Sequence, residues 1–510
     1  MSKIKDNRAD DTVTDRADLL SAATDSVSVR PLRCAVRNLA EFVHRRNGLG
    51  TYSSDPISGE EGIRLHKSFY RRLAKRFPDN EAKTEVNLKA VWHPGWDSKA
   101  TVSFPGLEIS GRADVILYPR FPSALPIAIE VKSLHDTDIE PPPESSQWAQ
   151  AMIYLWLLLE TEPPPVLTPQ SELTCLLAFV NRRTRNVTIH RASFTYAKLN
   201  QWMDQTCRTW IRHITRLSSH LELRDASIAS LNFPYENIRP GQRDFMHLVM
   251  RSILRKTPLF IEAPTGIGKT VSAIYPGLRA LCEGLISGCI YATAKTSTRY
   301  VAAETLRLLR TQGLILRSVI LTAKEKICSY PQHYCDYNEC PAALHYYDNL
   351  PAAREEILRE YDIEYENIRG IAAKYNICPF ELALEAAKYS DFIICDYNHV
   401  FDPRVRLRHI IEPETDNSSL ILIDEAHNLG SRAREMFSAV LRQEAVRAAI
   451  DLVGSVSPLS RLLSGLQRLE DYINDFKHRL YCVEPIDNLP LSLNELEPDF
   501  ASGLVFAESG

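Results

Sequence analysis

At 510 residues the chain can fold into two to four domains with sizeable cores, and its 45% hydrophobic and 24% charged content is ordinary for a globular protein. The formal net charge of -4 advertises no polyanionic partner, although a nucleic-acid groove is a local patch that a whole-chain total does not exclude. The longest strongly apolar run, Ala151 to Leu159, is far short of the roughly 20 residues a membrane-spanning helix needs, so such a span is excluded.

Residues 1–28 are rich in charged and small polar residues and lack the apolar core of a signal peptide. They read as a disordered tail, and the chain reads as cytoplasmic. Eleven cysteines in such a chain point to metal ligation or reactive thiols and away from a disulfide framework.

From 29 to 223 the pattern predicts one α/β domain. Helical spacing runs from Glu60 to Tyr70 and carries His66. The apolar strand Gly111 to Leu117 holds Asp114. A second, Pro126 to Lys132, holds Glu130 and Lys132 two residues apart and therefore on one face. Carboxylates on neighbouring strands can hold a divalent cation, and an amine beside them can orient or activate water. Two surface strands with solvated charges would show the same short pattern. Gln150 and Tyr154 lie four apart on the next helix. Asp followed by Glu-x-Lys, with these flanks, resembles the RecB-like branch of the PD-(D/E)XK nucleases. The resemblance implies metal ligation (Mg²⁺ or Mn²⁺) by His66, Asp114 and Glu130, and catalysis by Lys132. It also implies DNA or active-site support by Gln150 and Tyr154. Cys34, Cys175 and Cys207 do not have a cluster's spacing, so no cluster is expected in this domain.

Residues 224–232 read as a linker, and 233–510 as a second α/β domain. Arg239-Pro240-Gly241-Gln242 precedes an apolar run, Pro258 to Ile261, expected to be a buried strand. Next comes Ala263-Pro264-Thr265-Gly266-Ile267-Gly268-Lys269-Thr270, and then a helix from Val271. Strand, glycine loop and helix make an anion cradle, because backbone N–H groups and the helix N-terminus point at phosphate oxygens. Lys269 can reach the β- and γ-phosphates, and the Thr270 hydroxyl can ligate Mg²⁺. Gly288 to Thr296 reads as a strand running into small hydroxyl and basic residues, with Thr293, Lys295 and Thr296 suited to phosphate contacts. Leu420-Ile421-Leu422-Ile423-Asp424-Glu425-Ala426-His427 reads as a strand ending in two carboxylates. Asp424 suits Mg²⁺, and Glu425 can orient and deprotonate the attacking water.

Between these motifs lie Cys328, Cys335, Cys340 and Cys378, separated by six, four and thirty-seven residues. Four thiolates can close a zinc or an iron–sulfur site, and spacing alone leaves both open. With Cys378-Pro379-Phe380 at the last ligand, the whole stretch resembles the XPD/DinG iron–sulfur helicases of superfamily 2. The resemblance implies ATP and Mg²⁺ bound at the loop, adenine read by Gln242, and His427 coupling the nucleotide site to the motor. It also implies a 4Fe–4S cluster in an insertion at about 325–390. Helices at 431–453 and 459–480 match the start of that family's helical arch, taken as 431–510. The second RecA-like lobe is missing, so the sequence reads as part of a longer protein. The expected fold is therefore a PD-(D/E)XK nuclease domain followed by a RecA-like P-loop domain with two insertions.

The function this implies is ATP-dependent 5′→3′ DNA helicase activity, its polarity given by family resemblance. It is joined to a metal-dependent DNA nuclease acting in repair or related DNA processing. Single-stranded DNA and single/double-strand junctions are the expected partners. The alternatives are a nuclease, or a DNA-binding scaffold, whose motor half only binds nucleotide and DNA.

Overall fold

The computed structural model describes residues 31–49, 59–94, 106–134, 145–264, 266–294, 296–333, 335, 339–407, 419–454 and 459–481. The tail expected at 1–28 and the end of the expected arch, 482–510, lie outside them. The chain divides into two compact units. One is formed by residues 1–396 and 407–424, the other by 397–406 and 425–510.

The first unit contains two sheets. In the first, β1 (Leu32–Ala35) and β4 (Ile127–Leu134) pair with opposite ends of β3 (Leu107–Pro119). The long strand β2 (Asn80–Trp92) lines the other edge of β3, and β5 (Glu172–Asn181) and β6 (Val187–Thr195) follow β4. Strand alternation sorts the side chains between two cores. Ala128, Cys175 and Leu177 face α1 (Val36–His44) and α3 (Ser146–Thr161), whereas Ile129, Val131, Leu176 and Ala178 face α2 (Gly59–Tyr70). Helix α3 is apolar nearly all round because strands and helices enclose it, and Ser145 caps its N-terminus by accepting the Trp148 N–H.

The junction expected as a linker is helical. Helix α4 (Tyr196–Ser230) runs 35 residues without a break. Leu199, Met203, Cys207, Trp210 and Ile214 enter the first core, and Ile228 enters the core of the second sheet. The polar residues of 224–230 are helix-compatible because they find partners. Asp391 accepts from His220 Nε2 at 2.8 Å, from Arg224 Nη1 at 3.0 Å and from the Arg317 N–H at 2.9 Å. Burial alone would push this carboxyl up, but His220, Arg224 and Arg317 together hold it well below the usual range.

Helices α5 (Gln242–Arg255) and α6 (Lys269–Cys282) lead into the second sheet. Its five strands are all parallel, in the order β11-β7-β10-β8-β9. They are β7 (Cys289–Thr293), β8 (Ser318–Ile320), β9 (Asp362–Ile363), β10 (Phe392–Asp396) and β11 (Leu420–Ile423). Strand β7 is wholly buried, as expected of an inner parallel strand, and α7 (Thr296–Thr311) follows it. The buried strand expected at 258–261 is absent. Residues 257–264 are irregular, Phe260 is 90% exposed, and Pro258 and Pro264 each lack the N–H that a ladder needs.

A helical subdomain occupies the stretch between β8 and β10. It contains α8 (Lys324–Ile327), α9 (Pro341–Leu344), α10 (Tyr346–Ile357), α11 (Tyr365–Tyr375) and α12 (Pro379–Lys388). The segment after α1 docks on it. Leu49 N–H donates to Ala343 O at 2.9 Å, Tyr347 N–H donates to Asn47 O at 2.9 Å, and the Arg45 guanidinium lies 3.8 Å from the Tyr347 ring centroid.

In the second unit, α13 (Leu429–Met436) is followed by an antiparallel pair, α14 (Gln443–Gly454) and α15 (Ser460–Tyr481). Gln443 bonds Asn474 at 2.6 Å and Arg447 bonds Glu470 at 2.6 Å. The helix expected over 431–453 is thus broken at 437–442, where the Ser438 hydroxyl turns back on Arg434 O.

Candidate functional site

Three sets of residues with chemical potential lie in the first unit. The first gathers on the first sheet from four elements. Asp114 Oδ2 accepts the Val131 N–H at 2.8 Å, while Oδ1 lies 3.8 Å from His66 Nδ1. Lys132 Nζ donates to Glu130 Oε1 at 2.8 Å and to Gln150 Oε1 at 3.1 Å. Glu130 is 5% exposed, so these charges are not a solvated surface pair. Burial pushes Glu130 up to about 7, and Asp114 adds to that against the pull of Lys132. Asp114 is raised by burial too, against Lys132 and the Val131 N–H. His66 is lowered by burial and by Lys132, so its imidazole stays neutral and keeps a lone pair. For Lys132, burial is outweighed by Glu130 and Asp114, which keep it charged.

Carboxylates and a neutral imidazole are the kinds of donor a divalent cation takes. Among the described residues no three His, Cys, Asp or Glu side chains stand close enough to enclose one ion. Tyr154 packs under β3, where a β-carbon on Gly111 would lie 3.0 Å from its hydroxyl, and the Arg112 N–H bonds its oxygen.

The second set surrounds the phosphate-loop sequence. Gly266 and Gly268 take φ of 84° and 83°, the left-handed region open to glycine, and Gly268 caps α6 so that Lys269 and Thr270 begin the helix. Ala263 and Pro264 lead into the loop, Ile267 packs toward Gly241, and Thr265 lies outside the described residues. The Arg239 guanidinium donates to Gly266 O. Gln242 is 2% exposed, and its Oε1 accepts the Arg239 N–H at 3.0 Å. A buried amide bonded within its own turn and set against the loop supports the loop from behind.

Asp424 directly follows β11, and its N–H donates to Ala292 O at 2.9 Å. In the second unit, Glu425 adopts the left-handed φ of 53°, and its carboxylate lies 3.3 Å from His427 Nδ1. A non-glycine residue in this region costs roughly 1–3 kcal/mol and marks a position held by its surroundings. Thr293 is buried and its hydroxyl pairs with Thr298, while Lys295 and the side chain of Thr296 lie outside the described residues.

The four cysteines share one neighbourhood of the helical subdomain. Cys340 and Cys378 belong to one small core with Ala342, Ala343, Leu49 and Tyr330. Cys378 precedes α12, and its sulfur receives the N–H groups of Phe380 and Glu381, although burial pushes the thiol up to about 11. Cys328 Sγ accepts the Tyr330 N–H at 3.4 Å. Lys324 bonds Cys335 and is drawn up chiefly by it. Backbone N–H groups and an ammonium aimed at sulfur suit thiolate ligation.

Several contributors carried little sequence signal. Lys324 lies one helical turn before Cys328, a spacing that could have pointed to it. Nothing in the sequence marks Glu85, a left-handed residue (φ 55°) in β2.

Residues 303–446 match the family described as DEAD_2. The chain is similar to a regulator of telomere elongation helicase 1 homolog of Aedes aegypti, 22% identical over 44% of this chain and 28% of that protein. A homolog of the same description from Caenorhabditis elegans is 24% identical over 45% of this chain and 27% of its own length. The chain thus spans less than a third of these relatives. A solved structure titled XPD_Helicase is similar at a TM-score of 0.33 and 20% identity, covering 47% of this chain and 41% of that one. Part of the chain thus matches the DEAD_2 family, and these sequence relatives are described as helicases.

Proposed function

We propose that the chain is part of an ATP-dependent DNA helicase of 5′→3′ polarity, joined to a metal-dependent DNA nuclease that acts in repair or related DNA processing. The observation that carries this reading is the presence, in one compact unit, of a glycine loop capping α6 and a buried carboxylate–lysine cluster.

In the motor half, the loop N–H groups and Lys269 bind the nucleotide phosphates, and Thr270 and Asp424 would hold its Mg²⁺. Glu425 orients the attacking water, and His427 holds the Glu425 carboxylate. Gln242 braces the loop and would read adenine. Thr293, Lys295 and Thr296 line the DNA backbone path. Cys328, Cys335, Cys340 and Cys378 would hold a 4Fe–4S cluster that stabilises the subdomain by ligation.

In the nuclease half, His66, Asp114 and Glu130 would hold Mg²⁺ or Mn²⁺, which when bound polarises the scissile phosphate and acidifies a water. Lys132 holds that water in line, and Gln150 fixes the Lys132 ammonium. Tyr154 supports β3 beneath Gly111 and Arg112. The two halves test separately in the chain itself. Lys269→Ala should abolish binding of a fluorescent ATP analogue and leave DNA cleavage in Mn²⁺ intact, and Asp114→Ala should do the reverse. Nucleotide binding that survives Lys269→Ala, or cleavage that survives Asp114→Ala, overturns the corresponding half.

A further inference from the structure

We propose that Arg112 anchors a backbone phosphate next to the one that is cut, and that Glu85 holds its guanidinium in place until the strand arrives. The proposal rests on the nuclease reading of Asp114, Glu130 and Lys132. A nucleic-acid strand entering this centre meets the buried Glu130 and half-buried Asp114 carboxylates, and Lys132 is already committed to Glu130 at 2.8 Å and Gln150 at 3.1 Å. Some other cation must offset the repulsion felt by the flanking phosphates.

Arg112 is placed for that task. It lies two residues before Asp114 on β3, a separation of about 6.7 Å along an extended strand. Its side chain is 65% exposed, so a solvent-borne strand can reach it. Its main chain is held, because its N–H bonds the buried Tyr154 oxygen beneath Gly111. A fixed backbone and an exposed guanidinium give a directed anchor, and a guanidinium can grip two phosphate oxygens at once.

Glu85 supplies the holding contact. It falls opposite Asp114, between the Thr84–Val115 and Val86–Ala113 pairs, and its left-handed backbone interrupts the ladder there. Glu85 Oε2 lies 3.6 Å from Arg112 Nη1, with the two side chains 49% and 65% exposed. Such a loose, wet ion pair is weak enough for a phosphate to displace.

The test uses the full chain and oligodeoxythymidylate. Phenylglyoxal should modify Arg112 in the free protein, and saturating DNA should protect it, as read by mass spectrometry. Arg112→Ala should raise KM for cleavage in Mn²⁺ about tenfold while kcat stays within about twofold. The salt dependence of log KM should become shallower by about 0.7, the loss of one single-strand phosphate contact. Arg112→Lys should restore that slope with only part of the affinity. Glu85→Gln should lower KM in the parent chain and change nothing beside Arg112→Ala. Equal modification of Arg112 with and without DNA, or an unchanged KM in Arg112→Ala, overturns the anchor. Absence of cleavage in every divalent metal would fail the nuclease reading instead, and the protection measurement would still decide whether Arg112 meets the strand.

Discussion

The side-chain amide of Gln242 lies against Gly268, with Nε2 2.7 Å from the point a β-carbon there would occupy. Two motifs separated by 20 residues of other sequence, 243–262, are thereby one structural unit. A side chain at Gly268 would displace the amide and also meet a φ of 83°.

Gly268→Ala is therefore expected to destabilise the loop by at least about 1 kcal/mol and to weaken nucleotide binding. Gly370, in the middle of α11, has nothing near its missing β-carbon. Gly370→Ala should stabilise the protein by roughly 0.5–1 kcal/mol. Thermal melts and nucleotide titrations of both variants check the opposite signs.

Asp391 joins α4 to the second sheet through His220, Arg224 and the Arg317 N–H. Its removal leaves Arg224 buried with one partner fewer. Asp391→Ala should cost roughly 3–5 kcal/mol in denaturant unfolding, as for other broken buried ion pairs. A loss below about 1 kcal/mol would show that the network is not a structural tie.

How much of this was legible in the sequence follows the range of the forces involved. β3, β4, β7, β11 and α2 were readable because local periodicity and burial agree. The strand expected at 258–261 failed because apolar content alone does not supply a pairing partner, and two prolines withhold donors. The linker expected at 224–232 failed because Arg224 and Ser227 look like surface residues until Asp391 and Ile315, distant in sequence, satisfy them. Glu130 and Lys132 were visible as a spacing, but their burial and the Gln150 contact depend on α3 closing over the sheet. Glu85 was invisible, since its place opposite Asp114 is a matter of register.

His44 is buried, bonds Thr206 at 2.8 Å and stacks on Trp202. Burial, aided by Arg46, depresses its pKa to about 4 from 6.5. The unfolded chain therefore binds the proton first as pH falls. The stability this group contributes is full above 6.5 and is lost down to about pH 4, by about 3 kcal/mol in all. Urea midpoints of the parent and His44→Gln between these limits should converge as the pH is lowered. Parallel curves would contradict the assignment.

The cysteine neighbourhood predicts a coloured protein. Anaerobically purified chain should carry iron and acid-labile sulfide, and Cys335→Ser should lose both and unfold the helical subdomain more readily. Stoichiometric zinc without iron would contradict the cluster.

The most direct measurement of the central claim is cleavage of end-labelled DNA by the full chain in Mn²⁺, followed against pH. The Glu130 carboxyl, pushed up to about 7 by burial, must ionise to ligate, so activity should rise as pH increases toward and through that value. Asp114→Ala and Lys132→Ala should each lower the rate by about a hundredfold or more. Cleavage that is independent of pH and survives both substitutions would contradict the account.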